Sequence, residues 1–268
     1  MLLSVITINR NNLSGLKNTM ESILAQTCDQ YEWIIIDGGS TDGSVELIRD
    51  AASKIHYWVS EPDGGIYNAM NKGIDVSRGD YLLFLNSGDR LASPDVLSSF
   101  IEKHFCADVV YGKAIVVDAD NREVCRIDAP DSVRLSGFWN RRGLHHQASF
   151  FSRRCFDRFR YNEDNKIASD TELFMQLIYN GFSFEKWDVF VDRFEVGGIS
   201  SVMTDRGARE FDAIVDRILP PGIKADYEEF IQNRDVDLYI TIRRIISSKR
   251  WVRNAARLVL FPFRLLRD

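Results

Sequence analysis

Short apolar runs alternate with segments of helical periodicity over the first 105 residues of the chain. Four such runs, at residues 2–8, 32–36, 56–59 and 81–85, are the predicted buried strands. Strands and helices that alternate at this spacing require right-handed crossovers and favour a mainly parallel sheet with helices on both faces. The pattern therefore predicts an α/β fold of the Rossmann-like type.

The rest of the chain departs from this alternation. Residues 109–117 and 122–127 form an extended pair that is closer to a hairpin than to another crossover. The other predicted elements are a helix at 93–105 with Ser93 as its N-cap and Pro94 at its first position, a loop at 128–142, a strand at 148–152, a helix at 169–180, one or two strands within 182–194, and helices at 205–219 and 226–248.

Acidic residues close three consecutive strands of the predicted sheet. Asp37 ends the second strand, Glu61 and Asp63 follow the third, and Asp89 follows the fourth. Ligands of open α/β sheets bind beyond the carboxyl ends of the strands, and a hard cation that holds a diphosphate prefers oxygen ligands. Taken alone, the turn around Asp89 is more simply explained as an ordinary loop, so its neighbours decide the interpretation.

Several functional classes lack their sequence signature here. No GxGxxG follows the first strand and no P-loop is present, which argues against a dinucleotide site or a P-loop NTPase. The four cysteines form no CxxC pair, which argues against a zinc or redox site and suits a reducing compartment. The net charge of −5 carries no nucleic-acid signature, and we expect no signal peptide and no membrane span.

Four motifs, in order and at the expected separations, resemble those of the family 2 glycosyltransferases, which have a GT-A fold. They are TINRNN at 7–12, IIIDGGSTDGS at 34–44, EPDGGIYNAMNKGI at 61–74 and GDYLLFLNSGD at 79–89. The resemblance covers roughly residues 2–200 and includes enzymes of bacterial surface-polysaccharide synthesis of the colanic-acid type. It implies a nucleotide-sugar-binding half at 1–105, an acceptor-binding half at 106–200 and a helical C-terminal extension at 201–268.

The resemblance also implies a set of donor-site residues. The end of the first strand and Asp37 would hold the base and ribose of the nucleotide. Asp63 would line the same pocket, with the helix that carries Asn71 and Lys72 beside it. Asn86, at the start of the turn in the fourth motif, would complete the site. A solvated helix position is an equal alternative for Lys72. The implied donor-binding residues are Thr7, Asn9, Asp37, Asp63, Asn71, Lys72 and Asn86.

The metal motif departs from the family. A DxD-type cluster is usual there, whereas this chain has Asn86, Ser87, Gly88 and Asp89, so only the final acid remains. The resemblance implies a divalent cation, Mg²⁺ or Mn²⁺, held by Asp89. An amide oxygen is a weaker ligand than a carboxylate, so we expect low cation affinity and coordination largely from the diphosphate.

Two further segments resemble the family's acceptor side. His145, His146 and Gln147 are implied to orient the acceptor, and a satisfied pair of loop histidines is the alternative. Asp170 is implied to be the general base of an inverting transfer. Its structural alternative is a capping box formed by Ser169 and Glu172, in which Asp170 only favours the positive end of the helix.

The C-terminal segment carries a signal of its own. Eight basic residues between 243 and 267, with apolar and aromatic residues among them, have no acid between them. This composition indicates a helix on an anionic membrane surface, and a helix packed on the catalytic domain or a partner is the alternative.

The sequence thus predicts a cytoplasmic inverting glycosyltransferase, peripheral on the inner face of the membrane. It would move a sugar from a nucleoside diphosphate sugar, with a UDP-sugar favoured, to a glycan or lipid-linked acceptor in polysaccharide biosynthesis. A non-catalytic nucleotide-sugar binding or scaffolding module is the alternative that the incomplete metal motif supports. A nucleotidyltransferase would need a Gly-rich basic loop after the first strand, and residues 7–12 contain no Gly.

Overall fold

The computed structural model describes residues 2–118, 120–139, 143–195 and 205–232. These residues form a mixed α/β structure built on a nine-stranded sheet. In chain order the elements are β1 (Leu3–Asn9), α1 (Leu13–Leu24), β2 (Tyr31–Asp37), α2 (Ser44–Asp50), β3 (Tyr57–Ser60), α3 (Ile66–Val76), β4 (Tyr81–Phe84), β5 (Arg90–Leu91), α4 (Val96–Lys103), β6 (Val109–Val117), β7 (Glu123–Ile127), α5 (Leu135–Trp139), β8 (Ser149–Ser152), α6 (Arg153–Arg158), α7 (Ser169–Tyr179), β9 (Phe184–Glu195), α8 (Asp205–Ile218) and α9 (Pro221–Gln232).

Contacts divide the chain into two compact units. The first extends to Ile218 and contains the whole sheet. The second begins at Leu219, and α9 is its described helix.

The sheet joins a parallel part to a mixed part. Its strands lie in the order β3-β2-β1-β4-β8-β6-β9-β5, and β7 pairs with β6. The first four are mutually parallel, as the crossover pattern predicts. β8 lies between β4 and β6 and is antiparallel to both. The late strand β8 therefore brings its preceding loop to the ligand-facing ends of the early strands.

Register aligns the polar residues that end the parallel strands. Every residue of β1 is buried, which its apolar composition favours, and the strand finishes at the polar Asn9. Asn9 lies opposite Asp37 of β2, and Asp37 lies opposite Ser60 of β3. The three side chains consequently meet in one row at the carboxyl edge of the sheet.

An aromatic cluster fills the junction where β4 meets β8. Phe100 of α4 stacks on Phe150 of β8 with ring centroids 3.8 Å apart. Phe84 of β4 meets Phe151 of β8 edge to face at 6.1 Å. Such pairs contribute about 0.5–1.5 kcal/mol each beyond the burial of their area. The packing fixes β8, and hence the loop before it, against the parallel strands.

Most predicted elements are present, but three expectations were wrong. The helix predicted from residue 93 begins at Val96 with Asp95 as its N-cap, because the Ser93 hydroxyl donates to the Asp95 carboxylate at 2.6 Å instead. The predicted loop at 128–142 contains α5, and α6 was not predicted. α9 begins five residues before the helix predicted at 226, since Pro221 suits a first helical position.

Part of the C-terminal prediction lies outside the described residues. The helix predicted to 248 is described only as far as Gln232, and the basic segment 243–267 is not described. Within the described ranges, no helix combines the length and apolarity that crossing a bilayer requires. The predicted division of the chain into two halves at residue 105, followed by a C-terminal extension from residue 201, stays a prediction.

Candidate active site

Asp37 organises the ends of the parallel strands. Its carboxylate is fully buried and accepts hydrogen bonds from Asn9 Nδ2 at 2.7 Å, Ser40 Oγ at 2.6 Å, Ser60 Oγ at 2.6 Å and the Ser40 amide at 2.8 Å. Burial by itself raises the pKa of Asp37, but the hydrogen bonds from Ser40, Ser60 and Asn9 together hold it below its ordinary value. Asp37 therefore stays ionised and fixes the loops that follow β1, β2 and β3.

The other implied residues of the early strands divide between interior and surface. Thr7 is fully buried and accepts from the Trp33 indole at 3.1 Å, so its hydroxyl is engaged inside the protein. Lys72 pairs with Glu61 at 2.6 Å, which ties α3 to the EPDGG motif, while its side chain stays 30% exposed. Asn71 binds both the amide and the carbonyl of Tyr161.

Asp63 lies directly against the loop that follows Asp37. A Cβ on Gly38 would come within 2.5 Å of Asp63 Oδ2 and 3.2 Å of Arg10 Cδ, so a larger residue here would displace these two side chains. Asp63 also accepts from the Gly65 amide at 2.9 Å. The loops after β1, β2 and β3 thus converge on Gly38, where Asp63 and Arg10 provide polar groups of both charges.

The turn after β4 is held by α1. Gly88 has φ +112°, a conformation that favours glycine, and its amide donates to Thr19 Oγ1 at 2.9 Å. The Thr19 hydroxyl in turn donates to the Asp89 carbonyl at 2.7 Å. The amide of Asn86 closes the turn on Asp89 Oδ2 at 3.1 Å. Sequence analysis missed Thr19, because a threonine within a helical stripe gives no signal of this contact.

Asp89 is the acid of this turn, and it lies beside the buried carboxyl of Asp192. Burial raises the pKa of Asp89 to about 6, while His146, the Asn86 amide and the Gln147 side chain act in the opposite direction. Asp192 of β9 is fully buried, and burial followed by the proximity of Asp89 raises its pKa well above the ordinary value. The pairing of Leu91 with Asp192 in β5 and β9 brings the two together.

Asp192 was also missed by sequence analysis. Neither of its carboxylate oxygens has a hydrogen-bond partner of normal geometry among the described residues, although the amides of Arg90 and Arg193 lie near enough to lower its pKa slightly. A single acid in the apolar run VFVDRF was the available signal.

His146 connects the β4 turn to α7. Its Nε2 lies 3.2 Å from Asn86 Nδ2, and its Nδ1 lies 3.5 Å from Asp170 Oδ2. The His146 side chain is 13% exposed and that of Asp170 is 26% exposed. The neighbouring ring of His145 packs instead against Phe194, with centroids 5.3 Å apart. Three segments that are distant in sequence thus meet at one partly accessible cluster.

The start of α7 differs from the predicted capping box. Ala168 is the N-cap and forms no side-chain cap, while the Ser169 hydroxyl accepts from the Asn162 amide at 2.6 Å. Glu172 is buried and accepts from Arg217, Asn162 and Asn165. The predicted capping box was therefore wrong, because both of its members bind the preceding loop and α8, but Asp170 does lie in the first turn of α7, near the positive end of the helix.

That preceding loop is anchored by Glu210 of α8. Its carboxylate accepts from the amides of Lys166, Ile167 and Ala168 at 2.9–3.1 Å. Burial favours the protonated form, but these amides and Arg206 outweigh it and lower the pKa of Glu210. The ionised carboxylate of Glu210 thus holds the loop that leads into α7, where Asp170 lies in the first turn.

The described residues fit a hard cation only in part. Asp89 supplies a carboxylate, and Asn86 Oδ1 is a buried oxygen without a protein partner among them. No group of three or more His, Cys, Asp or Glu within the described ranges has a metal-binding arrangement. These two oxygens are ligands that suit Mg²⁺ or Mn²⁺, but by themselves they are fewer than either cation requires.

Comparison with known proteins places this geometry in context. The family model described as glycosyl transferase family 2 matches residues 4–167. The uncharacterized glycosyltransferase Rv1514c of Mycobacterium tuberculosis is 37% identical over 185 residues, which cover 65% of this chain and 67% of that protein.

Two solved structures show the same fold at low sequence identity. S. aureus TarS 1–349 in complex with UDP-GlcNAc has a TM-score of 0.67 and 18% identity, over 88% of this chain and 73% of that one. The chain covers 43% of the longer TarS structure. The mannosyltransferase PcManGT from Pyrobaculum calidifontis, in complex with GDP-Man and Mn²⁺, has a TM-score of 0.61 and 16% identity, over 98% of this chain and 82% of that one.

Proposed function

The chain belongs to glycosyl transferase family 2, and we propose that it transfers a sugar from a nucleoside diphosphate sugar to an acceptor hydroxyl with inversion at the anomeric carbon. The observation that carries the proposal is the cluster in which Asp170 lies 3.5 Å from His146 and His146 lies 3.2 Å from Asn86 of the β4 turn. A partly exposed carboxylate is therefore linked through His146 to the turn that ends in Asp89, the one acid that remains of the family's metal motif.

Asp170 is the proposed general base. Its Oδ1 accepts from the Thr171 amide at 2.8 Å, which leaves Oδ2 as the oxygen that faces the cluster. The acceptor hydroxyl gives its proton to Asp170 as its oxygen bonds to the anomeric carbon, and the bond from that carbon to the diphosphate breaks. The nucleoside diphosphate leaves on the face opposite the acceptor, so the anomeric configuration inverts.

The donor nucleotide is proposed to bind at the ends of β1, β2 and β3. Asp63 and Arg10 at Gly38 offer an acceptor and a cation to base, ribose or phosphate. Asp37, Asn9 and Thr7 are buried, so they support this binding by holding the loops rather than by broad contact with the ligand. Asn71 and Lys72 of α3 would stabilise the same wall through Tyr161 and Glu61.

A divalent cation would be held by Asp89 and the oxygen of Asn86. When bound, it would neutralise charge on the departing diphosphate. The solved complex of PcManGT with GDP-Man and Mn²⁺ supports such a site on this fold. Gln147 contributes by its hydrogen bond to Asp89, and His145 and Gln147 remain proposed neighbours of the acceptor.

A lipid-linked or glycan acceptor and attachment to the inner face of the membrane are further parts of the proposal. Their support is the basic, aromatic segment 243–267, whose cations would each gain about 1 kcal/mol near an anionic surface. Sedimentation with anionic vesicles at low salt, and release as salt rises, tests this part separately. Failure of the protein to bind such vesicles would remove the membrane claim and leave the transfer reaction standing.

The decisive experiment is a panel of UDP-, GDP- and dTDP-sugars with and without Mn²⁺. We expect one base to raise the melting temperature by mass action, and the anomeric configuration of the product, read by proton NMR, to be opposite to that of the donor. Binding without turnover on any acceptor would favour a non-catalytic nucleotide-sugar module, for which Asn86 in place of an acid is the supporting feature. A product that retains configuration would exclude the inverting mechanism.

A further inference from the structure

Both ring nitrogens of His146 are engaged by groups that come from different parts of the chain. Asn86 reaches Nε2 from the turn after β4, and Asp170 reaches Nδ1 from the first turn of α7. His146 itself lies in the short 3₁₀ turn that precedes β8. Since β8 is paired with both β4 and β6, this turn lies where the parallel part of the sheet joins the mixed part.

The amide group of Asn86 determines which atoms donate and which accept in the series Asn86, His146 and Asp170. Asn86 Nδ2 can only donate, so Nε2 of His146 must accept and cannot carry a proton. In a neutral imidazole the proton is then on Nδ1, which faces Asp170 Oδ2. The donor-side turn therefore determines which nitrogen of His146 presents a proton to Asp170.

The opposite orientation of the Asn86 amide fits the surroundings less well. With Oδ1 turned toward His146, Nε2 would need the proton, and a neutral ring would present a lone pair to the carboxylate of Asp170. In the orientation that the structure has, Asn86 Oδ1 is the atom without a protein partner among the described residues, which suits the proposed cation site. A single histidine thus orients a carboxylate on one side and an amide oxygen on the other.

We infer that His146 is a positioning residue that orients Asp170 through Nδ1 and Asn86 through Nε2, and so links the acceptor side of the reaction to the donor side. This inference rests on the proposed function, but it assigns His146 a role other than direct contact with the acceptor. The Nδ1 contact at 3.5 Å is longer than a strong hydrogen bond, and catalytic contacts of this kind shorten when substrate binds.

The tautomer can be measured without any substrate. The chain has four histidines, so long-range proton–nitrogen NMR spectra can be assigned with one His→Asn variant for each. We expect His146 to carry its proton on Nδ1. Asn86→Asp replaces the donor with an acceptor and should move a proton to Nε2, whereas exposed His104 should be unaffected. A proton on Nε2 in the unmodified protein would overturn the inference.

Two substitutions separate the contacts kinetically. The amide nitrogen of His146→Asn can occupy the position of Nδ1 and keep the contact with Asp170, while His146→Gln reaches the position of Nε2 and keeps the contact with Asn86. We expect His146→Gln to lower kcat by about 10- to 100-fold with little change in donor KM, as losses of outer partners commonly do. His146→Asn should retain more of kcat and raise the donor KM.

The controls keep this inference distinct from the proposed function. His104→Asn, at the exposed end of α4, is the matched substitution and should leave kcat and KM unchanged. Equal loss of kcat in His146→Asn, His146→Gln and His146→Ala, or no loss in any of them, would overturn the positioning role. If the unmodified protein turns over no sugar nucleotide of the panel, the proposed function fails, while the NMR spectra still decide the tautomer.

Discussion

Arg217 donates two hydrogen bonds to Glu172, from Nε to Oε1 at 2.9 Å and from Nη2 to Oε2 at 2.7 Å. The carboxylate is almost fully buried, whereas the Arg217 side chain is 45% exposed. This two-pronged contact ties α8 to α7, two residues beyond Asp170. It stabilises the helix that presents the proposed base without involving Asp170, whose own contact with this helix is the hydrogen bond from the Thr171 amide.

We therefore predict a loss of stability on changing Glu172. Glu172→Ala removes the charged acceptor for Arg217, Asn162 and Asn165, and should lower the free energy of unfolding by about 1–3 kcal/mol. Urea denaturation measures this. The exposed pair Glu123–Arg126 provides the comparison, because Glu123→Ala should leave the midpoint almost unchanged. Equal midpoints for the two variants would show that the buried pair contributes nothing.

Asp170→Asn should separate chemistry from stability. The amide keeps an oxygen for the Thr171 amide but cannot take a proton, so kcat should fall by about 10²- to 10⁴-fold while the donor affinity holds. Initial rates and a thermal titration with the donor measure the two quantities on one variant. A rate close to that of the unmodified protein would remove Asp170 from the mechanism.

Asp89→Asn should stabilise the protein near neutral pH when no cation is present. Because burial raises the pKa of Asp89 to about 6, above its ordinary value near 4, the carboxyl favours folding most below about pH 4 and loses this contribution as pH rises through 6. The difference in melting temperature between the variant and the unmodified protein should grow from pH 4 to pH 7.

The same variant should lose any stabilisation that Mn²⁺ gives in the presence of a nucleoside diphosphate. An unchanged response to Mn²⁺ would mean that Asp89 does not hold the cation. A variant that is less stable at pH 7 than at pH 4, relative to the unmodified protein, would contradict the raised pKa.

Glu210→Ala should loosen the loop that leads into α7. Three consecutive amides lose their acceptor, so hydrogen exchange at Lys166, Ile167 and Ala168 should accelerate by at least about 10-fold, the equivalent of roughly 1.4 kcal/mol. Glu210→Gln keeps one acceptor oxygen and should show a smaller effect. Unchanged exchange in Glu210→Ala would show that the loop holds its conformation without α8.

The positions of Asp37 and Asp89 were predictable from the sequence, because parallel strands place their carboxyl ends at one edge. The contacts that organise these acids were not, since they depend on packing between distant segments. Thr19 reaches the β4 turn from α1, and Asp192 reaches it from β9. A threonine in a helix and an aspartate in a strand both occur without such contacts, so the sequence alone does not show that Thr19 and Asp192 make them.

The contact between His146 and Asn86 was also not predictable from the sequence. The segment of His146 was recognised, and its association with the acceptor side was a reasonable expectation. Its contact with Asn86 depends on the insertion of β8 beside β4, a pairing of strands separated by 64 residues between Phe84 and Ser149. Local periodicity predicts that a strand exists but carries little information on which strand becomes its neighbour.

The insertion of β8 beside β4 also has a consequence during protein synthesis. When the ribosome has produced β1 to β4, the parallel part of the sheet can assemble, but β4 has no partner on its outer side until β8 emerges. An apolar strand with unpaired amides and carbonyls is a template for pairing with other chains. We therefore expect the nascent chain to pass through an interval in which a hydrophobic sheet edge is open, and a chain truncated between β4 and β8 to be prone to aggregate.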